Sequence, residues 1–118
     1  MQELKVRTFD FAVAVGKLVI DLPYSVVNKQ YINQLIRCSS SVGANYRAAR
    51  RAKSAADFIN KLKIVEEECD ESIYFLDLLQ VFNSNYKDRI TGLINEGTEI
   101  LKIIVASIQT AKTRINNK

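Results

Sequence analysis

Apolar residues along this chain recur every three or four positions in four separate stretches, the period of a helix with one buried face. No stretch reads as a good strand. The first helix is predicted from about Thr8 to Leu22 and stops at Pro23, which has no N–H to donate and restricts the residue before it. A short connection, Tyr24 to Asn28, leads into a second helix over about Lys29 to Ala52. Its seam is Ile32, Leu35, Ser39, Val42, Tyr46 and Ala49, spaced as a heptad. The third helix starts at Ser54, where Ser54 and Asp57 resemble a capping box, and runs to about Asn83. Its seam is Phe58, Leu62, Val65, Cys69, Ile73, Leu76 and then Leu79 or Leu78. Asn85 is the predicted cap of a fourth helix over 86–115, with Asp88 near its positive end. That helix has the most regular seam: Ile90, Ile94, Gly97, Leu101, Ile104, Ile108, Ala111 and Ile115. Short connections make neighbours antiparallel, so the expected fold is an all-α, up-down-up-down four-helix bundle in a single domain, 1–118.

The first helix has more apolar surface than such a bundle uses. Lys17 and Asp21 fall within ~20° of Asp10 on the helical wheel. Phe9, Phe11, Ala12, Val13, Val15, Leu18, Val19, Ile20 and Leu22 fill nearly all the rest. Leu93, Ile100 and Ile103 likewise lie outside the main seam of the fourth helix. A chain of 118 residues has no room to bury both faces, and an exposed stripe of this width is an aggregation hazard. Self-association is the expected outcome, in a dimer or a ring.

Composition narrows the chemistry. With four Gly and one Pro, the chain lacks the turns of a β-sandwich. It has no His, which removes His ligands, His general bases and His-activated nucleophiles. Two cysteines, Cys38 and Cys69, are too few for a disulfide scaffold. The hairpin puts them at a similar height, but packed helix axes stand ~8–10 Å apart, so two buried free thiols are expected rather than a redox pair. Glu66, Glu67, Asp70 and Glu71 lie on one helix without the Glu-x-x-His motifs of di-iron bundles. Ser39, Ser40 and Ser41 have no base or Gly elbow beside them, and small residues there suit close packing. No phosphate-binding Gly loop is present. The expectation is no enzyme, no catalytic residue, no metal and no cofactor. Met1 to Lys5 lack the form of a signal peptide and no stretch is apolar enough to span a membrane, so a cytoplasmic protein is expected.

Net charge is +4, but the charges are segregated. From Arg37 to Lys63 there are seven basic residues and one acid, and from Ile64 to Asp77 six acids and no base. Arg47, Arg50, Arg51, Lys53, Lys61 and Lys63 gather around the turn between the second and third helices as a candidate nucleic-acid patch. No RNA-binding aromatic signature, zinc knuckle or helix-turn-helix accompanies them. Three readings stay open: phosphate binding, pairing with the acidic block of the same or a neighbouring chain, and a plain solvated surface. Arg37 lies level with Asp70, within reach of a salt bridge.

The stretch from Gln34 to Ala49, with Gln34, Arg37, Ser41, Val42, Ala44 and Asn45, resembles the Q-x-x-R-x-x-x-S-[VI]-x-A-N pattern of the 23S rRNA-intervening-sequence protein family. Ser54, Asp57, Phe58, Lys61, Glu67 and Glu71 continue it, and Tyr74-Phe75 stands where that family often has Tyr-Trp. The resemblance implies a four-helix bundle whose role is poorly defined. Related accessory proteins of diversity-generating retroelements form pentamers and bind nucleic acid and a reverse transcriptase. By that similarity a homopentamer is favoured over a dimer, RNA or DNA is a plausible partner, and a reverse transcriptase is a partner by analogy alone.

Overall fold

The computed structural model describes residues 3–117; Met1, Gln2 and Lys118, and with them part of the stretch read for a signal peptide, lie outside it. The described residues form four α-helices: α1 (Leu4–Asp21), α2 (Val26–Ala49), α3 (Ala55–Phe82) and α4 (Lys87–Asn116), with a 3₁₀ turn at Ser84–Tyr86. They contain no strand. α2 packs on α3, α3 on α4, and α1 on both α2 and α4, closing a four-cornered bundle of 53 × 21 × 20 Å. Among the described residues no helix is long and apolar enough to cross a membrane.

The core follows the predicted seams of α2, α3 and α4, except that Ile115, expected in the α4 seam, is exposed near the helix end. Phe11, Val15 and Leu18 of α1, Leu35, Cys38 and Val42 of α2, Leu62, Val65, Leu76 and Leu79 of α3, and Ile90, Ile104 and Ile108 of α4 are all buried. Ile100, expected on a second apolar face of α4, is also fully buried, while Leu93 and Ile103 are half-buried. The reason is the wider arc that α4 must supply where it meets both α1 and α3. Small residues set the close approaches. A Cβ on Gly43 would stand 3.2 Å from Thr8 Oγ1 across the α1–α2 seam, and one on Gly97 would stand 3.2 Å from Ile73 Cγ1.

Helix ends differ from the sequence reading where side chains cap. α2 starts at Val26, a turn earlier than expected, because Ser25 Oγ accepts the N–H of Asn28 at 2.9 Å. α2 stops at Ala49 instead of Ala52, and the N–H groups of Arg51 and Ala52 turn back to the carbonyls of Ala48 and Ala49. Ser54 caps α3 as read, accepting from Asp57 N–H at 3.0 Å, and Asp57 accepts in return from the backbone N–H of Lys53 at 3.1 Å. Asn85 does not cap α4. Its neighbour Asn83 is the residue that turns inward, and the 3₁₀ turn leads into α4 without a side-chain cap.

The helices are unequal, and that shapes the surface. α4 has 30 residues and α1 has 18, about 45 Å against 27 Å at 1.5 Å per residue. Arg7 in the first full turn of α1 already meets Glu96 near the middle of α4, through two bonds of 2.8 Å. The second half of α4 therefore runs on beside α3 with no α1 to cover it.

Candidate nucleic-acid interface

The α2–α3 turn, the start of α1 and the end of α4 share one pole of the bundle. The short turn brings Arg50, Arg51 and Lys53 there, and the register of the helices brings the rest. Lys5, Arg47, Arg50 and Arg51 surround one recess of about 460 Å³, with Glu3 at its edge. Arg51 reaches it from beyond the end of α2, which stops at Ala49. Arg114 of α4 and Phe58 of α3 line a second groove near the same pole. Lys5 and Arg114 were missed by reading along the chain. Their only sequence signal is position, at helix ends that the antiparallel topology folds toward the turn.

The six predicted residues do not form one patch. Lys61 is half-buried and bonds Asp57 at 2.7 Å, one helical turn away. Lys63 points to another side of α3, where it lines a groove with Glu66, Glu67, Asp70, Leu101 and Val105. Residues two apart on a helix diverge by ~200°, which is why Lys61 and Lys63 part. Arg47, Arg50, Arg51 and Lys53 remain at the pole.

Ion pairing separates the charges further. Arg50 bonds Glu3, and that contact, followed by a bond to Tyr46, raises the Arg50 pKa above its ordinary value. Asp57 is held below the usual carboxylate range first by the Lys61 ammonium and then by the Lys53 backbone N–H. Arg47, Arg51 and Lys53 make no side-chain ion pair within 4.0 Å among the described residues. The acidic block is also divided. Arg37 bonds Glu68 at 3.2 Å and also Glu71, instead of the expected Asp70. Glu66, Glu67 and Asp70 make no ion pair among the described residues.

The other candidate chemistries resolve structurally. Cys38 and Cys69 are free and buried. Burial pushes both thiols up, Cys69 to about 12, and the Cys69 thiol donates to the Gly97 carbonyl at 3.2 Å. Ser41 turns back to the carbonyl of Arg37 at 2.8 Å and Ser40 to that of Ile36, so both hydroxyls serve their own helix. Among the described residues no three His, Cys, Asp or Glu side chains stand together as a metal ligand set.

The fold and this pole define a small antiparallel helical bundle with a cationic end. The 23S rRNA-intervening sequence protein family matches residues 2–106, and the chain belongs to that family. It is similar to a protein of unknown function from the S23 ribosomal protein family of Bacteroides thetaiotaomicron VPI-5482, solved at 1.70 Å. The two share 34% identity over 90% of this chain and 98% of that one, with a TM-score of 0.78. No curated protein matches the chain.

Proposed function

We propose that this protein is a non-enzymatic, self-associating bundle that holds RNA or DNA by its phosphate backbone at the cationic pole. The observation that carries the reading is the pair of exposed cations Arg51, which borders the recess beside Arg50, and Lys53, neither of which makes a side-chain ion pair among the described residues. Exposed arginines and lysines of this kind neutralise phosphates and release their counterions, which gives affinity without base specificity. The family's name refers to an intervening sequence of 23S rRNA and the Bacteroides relative is assigned to a ribosomal protein family, which supports RNA as the polyanion. A closed ring, five copies by the family likeness, would repeat the pole and raise the avidity of modest contacts.

The test is fluorescence anisotropy of labelled structured RNA and duplex DNA, at about 50 and 200 mM salt, a range over which phosphate contacts weaken steeply. Arg51→Glu with Lys53→Glu is the variant, because neither residue lines the α1–α2 groove. Binding should fall with salt, and the variant should weaken it for all sequences and flatten the salt slope by ~2. Absence of binding at the lower salt overturns the reading. The exposed stripe of α1, Val6, Phe9, Val13 and Ile20 at heptad spacing, favours a second reading, a protein-interaction scaffold whose charge blocks serve assembly or a protein partner. Assembly without any nucleic-acid binding is the result that would select it.

A further inference from the structure

The self-association proposed above leaves open which surfaces meet, and two grooves on different edges of the bundle bear on that. The first lies between α1 and α2, about 410 Å³, with Val6, Phe9, Ala12 and Ala44 along it and Lys5 and Arg47 at its rim. Phe9 is 62% exposed there. The second lies between α3 and α4, about 430 Å³, with Leu101 and Val105 apolar and Glu66, Glu67, Asp70 and Lys63 as its rim. One groove is apolar with a cationic rim, the other apolar with a rim of three acids against one lysine. Lys5 and Arg47 make no ion pair among the described residues, and neither do the three acids opposite in sign.

Their placement is as informative as their chemistry. In a four-cornered bundle the α1–α2 and α3–α4 edges are opposite each other, and among the described residues no Cα atoms of the diagonal helices come within 8 Å of each other. The two grooves lie in the same half of the bundle. Arg7, between the α1 residues that line the first groove, reaches Glu96 of α4, and Leu101 and Val105 of the second groove stand about one to three helical turns further along α4. Two copies set side by side, with a small shift along their aligned long axes, bring one groove against the other.

We infer that the α1–α2 groove of one copy receives the α3–α4 groove of a second copy of this chain. Val6 and Phe9 are buried against Leu101 and Val105, and Lys5 and Arg47 face Glu66, Glu67 and Asp70. A second copy fits better than an unrelated acidic protein because both complementary halves stand on one chain, in the same half of the bundle, on opposite edges. The surfaces differ, so the contact is head-to-tail, and each copy keeps one surface of each kind for the next. Such contacts close into a ring when the rotation permits. This accounts for the unpaired acids of α3 in a chain of net positive charge. It also leaves Arg51 and Lys53 clear of the contact, at the pole.

The test is light scattering on full-length chains after size exclusion, with circular dichroism to confirm the helices. Wild type is compared with Lys5→Glu/Arg47→Glu, with Glu67→Lys/Asp70→Lys, and with one chain carrying all four changes. Each two-site variant should weaken association at least ~100-fold, since like charges then face each other across the contact. The four-site chain should return to the wild-type mass, because the reversed charges match again. If either two-site variant keeps the wild-type mass, or the four-site chain stays apart, the pairing of these grooves is overturned while self-association stands. A monomeric wild type overturns self-association itself. Should a charge reversal fail to fold, Lys5→Gln/Arg47→Gln and Glu67→Gln/Asp70→Asn replace it, with weakened association expected and unchanged mass counting against the inference.

Discussion

The two poles of the bundle are built on opposite plans. At the pole formed by the α1–α2 and α3–α4 connections, polar groups find their partners inside the chain. The side chains of Asn28 and Asn83 exchange two hydrogen bonds of 2.8 Å, and their remaining amide protons go to the carbonyls of Pro23 and Leu79. Tyr86 donates to the Asp21 carbonyl at 3.0 Å and Arg89 bonds the Asp21 carboxylate at 2.8 Å. At the other pole a serine cap and an aspartate hold the turn, while cationic heads stand in solvent. A buried side-chain N or O atom without a hydrogen-bond partner is not found among the described residues, so the satisfied pole meets the ordinary demand of a folded chain. What the cationic pole offers is surplus to folding. Groups that stability does not need are the better candidates for contact with something else.

The largest expected effect tests the satisfied pole. Asn83→Ala removes the donor to Asn28 Oδ1 and leaves that buried oxygen unmatched. The cost should be about 2–3 kcal/mol, the range for orphaning a buried polar group, read by urea denaturation. Asn28→Ala should cost a similar amount. The double variant should cost less than the sum, since the pair is lost once. Additive losses would show that the two amides are not the lock described here.

The middle of the molecule, between the poles, should respond to alkaline pH. Both thiols have folded pKa values raised by burial, Cys69 to about 12. An unfolded thiol ionises near ~8.5. Above that value the unfolded chain has lost protons that the folded chain keeps, so stability falls as pH rises, by up to about 1.4 kcal/mol per unit for each thiol. The loss continues until the folded pKa is reached. Cys69→Ala should flatten this slope even if it lowers stability near neutrality. The same burial predicts that neither thiol reacts with a maleimide until the chain unfolds.

How much of this was legible along the chain differs between the poles for a physical reason. Periodicity reports which residues turn inward on one helix, so the seams from Leu35 to Ala49 and from Leu62 to Leu79 were readable. The Ser54–Asp57 cap is local, three residues apart, and was readable too. Asn28 and Asn83 are 55 positions apart, and nothing in either neighbourhood marks them as partners. Asn28 reads as loop along the chain, because only the Ser25 cap draws it into the first turn of α2. The cationic cluster was legible as composition but not as geometry. Charge counts place Lys61 and Lys63 with the arginines, whereas helical rotation sends Lys63 to the acidic groove and Asp57 takes Lys61. Lys5 was hidden for the converse reason, being far along the chain and near in space.

A smaller effect belongs to the cationic pole's own scaffold. Ser54→Ala should cost about 1 kcal/mol, typical of a lost N-cap, in thermal or urea unfolding. Asp57 is part of the same turn, and its folded pKa is lowered by Lys61 and the Lys53 N–H. Its contribution is present above the unfolded carboxylate value and is lost as pH falls through the lower folded value. Acid unfolding of Asp57→Asn should therefore be less steep than that of the wild type at the low-pH edge.

The smallest effect is the most discriminating for the contrast between the poles. Arg51 and Lys53 are exposed, and neither makes a side-chain ion pair within 4.0 Å among the described residues. If they are surplus to folding, Arg51→Ala with Lys53→Ala should change stability by no more than ~0.5 kcal/mol, as for surface sites without special roles. The sign is informative as well. Several cations at one pole repel one another, and removing two relieves that repulsion, so at low salt the variant should be slightly more stable than the wild type. Added salt screens the repulsion and should erase the gain. A polyanion should have the reverse effect, raising the unfolding midpoint of the wild type by binding the folded state and raising that of the variant less. A clear loss of stability in the variant at low salt would mean that the pole's charges hold the fold together after all, and the two ends of the bundle would then differ in chemistry but not in purpose.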